Sequence, residues 1–224
     1  MSSASARPAT TASDQGPLVG DVCHCLRAYV RPQRGANGTA QGARRRRKDV
    51  NKMRAAVVYE SMFGNTATIA TSVANGLRSA GVHVRVIPVT AAGDDVLRTH
   101  DLVVIGAPTH ALGLSRPSTR ADAVLRGAPA EVEARGVREW LEDLQDAHSV
   151  RIAVFDTRAR AMRHLPGSAA RHVAHLLRRR GYDVAPSTSF YVGGTEGPLG
   201  RHEEARAGDW ATDLGHQMMR QVVV

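Results

Sequence analysis

The chain has 224 residues, a formal net charge of +9 and a sequence pI near 10.6, a balance that first suggests a nucleic-acid binder. The charge is uneven, however: residues 1–52 carry ten Lys/Arg against three Asp/Glu, whereas residues 53–224 carry twenty against eighteen. A basic folded domain is therefore excluded, no apolar stretch reaches the ~20 residues of a membrane span, and the N-terminus lacks the apolar core of a secretion signal.

Residues 1–52 are rich in Ser, Ala, Thr, Gly, Pro and Arg and end in Arg44-Arg45-Arg46-Arg47-Lys48. Such a segment cannot bury enough apolar surface to offset its conformational entropy, so a disordered basic tail is expected, touching nucleic acid only weakly. Met53 falls directly before the first strand-like run, which makes a start at Met53, with residues 1–52 untranslated, a second reading. The two cysteines, Cys23 and Cys25, flank His24 in this tail. One intervening residue suits neither a mutual disulfide nor a structural zinc site, so no metal is expected. A cysteine-free domain fits a reducing compartment, and the expected location is the cytoplasm.

From Met53 the apolar pattern switches between two periods. Arg54–Tyr59 is a short continuous apolar run of the kind found in strands buried on both faces. Thr66–Ala80 has Ile69, Ala70, Val73, Ala74 and Leu77 at helical spacing, stopped by Gly81. Val82–Val89, Asp101–Ala107 and Arg151–Phe155 read as further strands, and Asp183–Val192 as a fifth, broken by Pro186. Helices are predicted over Val137–Leu144, Ala169–Arg180 and 201–219, the last with Ala205, Trp210, Leu214 and Met218 as core contacts. Alternating strands and helices imply right-handed βαβ units: one α/β domain over 53–224, a doubly wound parallel sheet covered on both faces.

The turn Ser61-Met62-Phe63-Gly64-Asn65-Thr66 lies between the first strand and the first helix, where free helix amides and the positive dipole end face an anion. Ser61, Asn65 and Thr66 offer side-chain hydrogen bonds, and Gly64 lets the backbone wrap closely. Without a lysine the turn is not a triphosphate-binding loop, and it lacks the three-glycine dinucleotide fingerprint. A phosphate monoester remains, alongside the plainer reading of a helix-capping turn.

Tyr59-Glu60-Ser61-Met62-Phe63-Gly64-Asn65-Thr66 resembles the phosphate loop of the flavodoxin family, and the resemblance extends in strand order and loop position over about 53–219. It implies a flavodoxin-like five-stranded sheet of order 2-1-3-4-5, with Ser61 to Thr66 cradling the phosphate of flavin mononucleotide (FMN). In such sheets, flavodoxins among them, the ligand lies at the carboxyl ends of the strands where the strand order reverses. Pro108, Thr109, His110, Ala111, Leu112 and Gly113 then correspond to the first flavin-flanking loop. Asp156, Thr157 and Arg158 open the second, toward the pyrimidine end of the ring. The chain departs from the family's electron carriers in two respects: neither ring-flanking loop contains Trp, Tyr or Phe, and the domain is nearly neutral. The implied function is FMN-dependent electron transfer, as a carrier or a small flavin-dependent reductase of the NAD(P)H or quinone type. The alternative is a flavodoxin-like domain without FMN acting as a binding or regulatory module. The implied partner is a redox protein or a small electron acceptor, with no membrane involved. Gly193–Gly200 is read as a structural turn, and less readily as a closure over the rim of the site.

Overall fold

The computed structural model describes residues 53–93, 95–144 and 149–222. The basic tail, including Cys23, His24 and Cys25, lies outside the described residues. A parallel sheet runs through β1 (Arg54–Tyr59), β2 (His83–Pro88), β3 (Leu102–Pro108), β4 (Arg151–Ala159), β5 (Asp183–Val184) and β6 (Thr188–Val192). The strand order is β2-β1-β3-β4-β5, and β6 also pairs with β4. Together β5 and β6 are the predicted fifth strand: the first pairs with Arg151 and Ile152, the second with Phe155 to Ala159 along the same edge. Pro186, which lacks an amide hydrogen, falls in the gap.

The helices are α1 (Asn65–Ser79), α2 (Asp95–Thr99), α3 (Pro117–Leu125), α4 (Val137–Glu142), α5 (Ala169–Arg179) and α6 (Glu203–Val222). Successive strand residues face opposite layers. Ala56, Val58, Val103, Ile105, Ile152 and Val154 pack under α2, α4 and α5 with Trp140, Val173 and Leu177. Ala55, Val57, Val104, Ala153 and Phe155 pack under α1 and α6 with Ile69, Val73, Leu77 and Leu214. Helices α1 and α6 touch at Gly76, where a Cβ would stand 2.2 Å from the carbonyl oxygen of Gly208. The buried stripe of α6 is Ala207, Ala211, Leu214 and Met218; the predicted Ala205 is exposed because it lies on the opposite side of the helix, and Trp210 is half-buried.

The strand β4 is longer than its apolar run. It continues through Asp156, Thr157, Arg158 and Ala159, which were expected to form a loop. Pairing with β6 on one side, and Thr109 N–H donating to Thr157 C=O at 2.8 Å on the other, extends it despite its polar composition. The carboxyl ends of β1, β3 and β4 thus stand together at one edge of the sheet.

Candidate functional site

At that edge a cleft opens to solvent. Ser61, Met62, Phe63, Asn65 and Thr66 line it from the turn after β1, Pro108 to Leu112 from the loop after β3, and Thr157 and Arg158 from β4. Three predicted residues stand elsewhere. Gly113 closes a two-residue hairpin, exchanging both backbone hydrogen bonds with His110 at 2.9 Å. Its central residues, Ala111 and Leu112, have φ of +43° and +68°, a conformation normally left to Asn and Gly. Asp156 is fully buried beneath the cleft. Gly64 borders a separate apolar groove near Tyr59, Pro88 and Val132. Its φ of +85° turns the chain into α1, and an added Cβ would meet nothing within 4 Å. Gly64→Ala should therefore cost only the left-handed backbone, about 1–2 kcal/mol, read as a lower urea midpoint.

The turn suits an anion. The first bond of α1 runs from Thr68 N–H to Gly64 C=O at 3.0 Å, so the amides ahead of it have no acceptor in the helix. Among the described residues those amides donate to no other group. The Ser61 hydroxyl is buried without a hydrogen-bond partner, an expensive state that a phosphate oxygen would relieve. Thr66 is fixed by a 2.7 Å hydroxyl pair with Thr157, which locks the turn to β4, while Asn65 Nδ2 donates to Glu196 C=O at 2.9 Å. That contact draws the glycine-rich segment after β6 over the site, where Gly194 and Thr195 join the lining with Ala159, Met162 and Val192. The residue pattern read this segment first as a structural turn and second as a closure over the rim; the Asn65 contact and the lining by Gly194 and Thr195 agree with the second reading.

Toward the other end, the buried Arg158 guanidinium donates through Nη2 to Met162 C=O and, at 3.2 Å, to Leu165 C=O. Its Nε is buried without a partner. Burial, with the Arg126 charge adding to it, holds the His110 imidazole below its ordinary pKa, so it is mainly neutral at physiological pH.

Sequence reasoning missed Glu60, the buried residue immediately before the anion turn. Its Oε2 accepts from Val137 N–H at 2.8 Å, at the start of α4. The neighbouring Arg120, also buried, donates to Ser115 Oγ at 3.1 Å and pairs with Glu139 at 3.1 Å. Burial pushes the Glu60 carboxyl above its ordinary value of 4.5, against the Ser115 and Val137 donors and the Arg120 charge. A carboxyl with a raised pKa binds more protons in the folded than in the unfolded state, so its contribution to stability falls as pH rises through the folded pKa. Glu60→Gln keeps an acceptor for Val137 but removes the titration. The variant should be more stable than wild type above neutrality, and its advantage should vanish as pH falls to about 4.5, in urea melts across pH.

The flavodoxin family model matches residues 57–155, which contain the end of β1, the anion turn, the hairpin loop and β4 as far as Phe155. No curated protein sequence matches the chain. Among solved structures, an archaeal flavodoxin is similar at TM-score 0.51 and 18% identity, over 75% of this chain and 99% of its own. Bacillus cereus flavodoxin 1 aligns at TM-score 0.52 and 17% identity, over 75% and 97%. The flavodiiron core of Flv1 from Synechocystis sp. PCC6803 aligns at TM-score 0.53 and 16% identity, over 81% of this chain but 41% of its own. At these identities the structural likeness speaks for the fold, and the family match adds the sequence of the strands and loops that build the cleft. The chain thus has the flavodoxin-like fold and carries a flavodoxin family match over residues 57–155.

Proposed function

We propose that the cleft binds FMN and that the protein serves electron transfer, as a carrier or a small flavin-dependent reductase. The flavodoxin family, whose model matches residues 57–155, carries out FMN-based electron transfer, which supports this reading. The observation that carries the reading for this chain is the unpartnered, buried Ser61 hydroxyl beside the open amides of α1. FMN, when bound, supplies one- and two-electron transfer, and the protein supplies position and electrostatics. Ser61, Asn65 and Thr66 hold the phosphate without a charged side chain. Leu112 and Met162 provide apolar walls in place of aromatic rings, which forgoes the stacking of about 1 kcal/mol that an aromatic pair adds. Arg158, tied to the Met162 and Leu165 carbonyls, would supply a fixed positive charge to stabilise the reduced flavin. His110, mainly neutral, is able to accept or pass a proton at the loop after β3.

The working compartment in this reading is the cytoplasm. Among the described residues no helix is long and apolar enough to cross a membrane.

The test is the visible absorption of the purified protein, followed by titration of FMN into the flavin-free form. Flavin bands and saturable binding are the expected result. Absence of both would overturn the proposal and leave a flavin-free binding module. Steady-state oxidation of NAD(P)H by the holoprotein separates a reductase from a carrier.

A further inference from the structure

The mouth of the cleft carries a feature that the phosphate cup does not explain. The exposed large hydrophobic residues of the described chain are Val86, Leu112, Leu125, Leu165 and Met219. Three of these, Leu112, Leu125 and Leu165, are 41%, 86% and 47% exposed and belong to the two segments around the mouth, 110–126 and 157–172. The segments meet where Gly167 packs on Leu112, so closely that a Cβ on the glycine would lie 2.5 Å from the Leu112 carbonyl oxygen. Arg126, beside Leu125, is near enough to bear on the His110 imidazole.

The same two segments concentrate positive charge. They hold seven arginines and a single acid, Asp122, leaving thirteen basic against seventeen acidic residues in the rest of 53–224. Five of the seven, Arg116, Arg126, Arg160, Arg163 and Arg171, are exposed. These two segments thus carry a local excess of positive charge beside the cleft, with Glu196, on the segment held against Asn65, the acid that faces them. Apolar side chains ringed by charge form the pattern of a transient protein interface, in which the centre supplies affinity and the rim steers encounter.

We propose that this face docks an acidic electron-transfer protein, with carboxylates opposite Arg126, Arg160 and Arg163 and an apolar patch covering Leu112, Leu125 and Leu165. The proposal rests on the electron-transfer reading above and names the partner of that site. A second copy of the chain would set arginines against arginines. A small anion would leave the leucines uncovered.

The experiment is calorimetric titration of the full-length protein, with and without added FMN, against the acidic haem domain of cytochrome b5 and against basic cytochrome c. Cytochrome b5 should bind, with affinity falling about tenfold or more between about 20 and about 200 mM salt, and cytochrome c should not. Replacing Arg126, Arg160 and Arg163 together by Glu should weaken binding about tenfold or more, and Leu125→Ser with Leu165→Ser should weaken it about fivefold. Arg179→Glu, at the far end of α5, should change it less than about twofold. The single variants Arg160→Glu and Arg163→Glu, checked by circular dichroism, give the same reading if the triple variant fails to fold. Unchanged binding by the rim variants would assign the association to the basic tail or another face and overturn the proposal. So would preference for cytochrome c, no association with either, or a self-dimer that the rim variants dissociate. Association is read without flavin, so a failure to bind FMN would sink the cofactor reading separately.

Discussion

Ser61→Asp is expected to weaken FMN binding about a thousandfold while changing riboflavin binding by no more than about threefold. The Ser61 hydroxyl is buried at the cleft, has no partner, and sits beside amides that carry no internal hydrogen bond. A carboxylate there would add a like charge beside the phosphate, and two like charges about 4 Å apart repel by about 4 kcal/mol in the polarisable environment near a protein surface. Riboflavin carries the same ring without the phosphate, so it reports on the rest of the cleft. Flavin fluorescence titrations of both ligands, with circular dichroism to verify the fold, decide the matter. Equal losses for the two flavins would mean that the substitution has disturbed the ring pocket, and no loss for either would place the phosphate elsewhere.

How much of this site could be read from the residues depends on whether a position obeys the ordinary link between polarity and exposure. Arg54–Tyr59 was recognised to the residue because every member of β1 after the first is apolar or aromatic. The fifth strand was recognised with its break because a proline cannot donate within a sheet. The extension of β4 escaped notice because Asp156, Thr157 and Arg158 look like a surface loop, yet all three are buried. Their burial depends on partners far along the chain: Thr109, Thr66, Ser168 and the strand β6. Helix α3 escaped for the same reason, since its most deeply buried side chain is Arg120, which periodicity counts as polar. Glu60 was passed over because its burial is imposed by α4, whose first amide it accepts. Strand ends and the anion turn are local features and were legible. Buried polar networks join distant segments and leave no periodic trace.

The largest of these networks yields the second strong expectation. Asp156→Ala should lower folding stability by about 3–4 kcal/mol, and Asp156→Asn by about 1–2 kcal/mol. Asp156 Oδ2 accepts from the Thr109 hydroxyl at 2.7 Å, from the Ser168 hydroxyl, and from Ala170 N–H at 3.2 Å. Thr109 Oγ1 in turn accepts from Ala169 N–H at 2.9 Å, and Ser168 caps α5 by accepting from Arg171 N–H. One carboxylate therefore pins the loop after β3 to the N-terminus of α5, where the helix dipole favours its charge. Alanine strands these donors in a dry interior. Asparagine keeps one oxygen for them, with its amide at the position of Oδ1, which has no partner. FMN affinity should follow the same order, because Thr109 and His110 line the cleft and lose their anchor. Urea melts and flavin titrations on both variants separate this anchoring role from direct contact with the ring. An anchor predicts that stability and affinity fall together and that asparagine restores part of both, whereas a direct contact predicts weak FMN binding by two variants as stable as wild type.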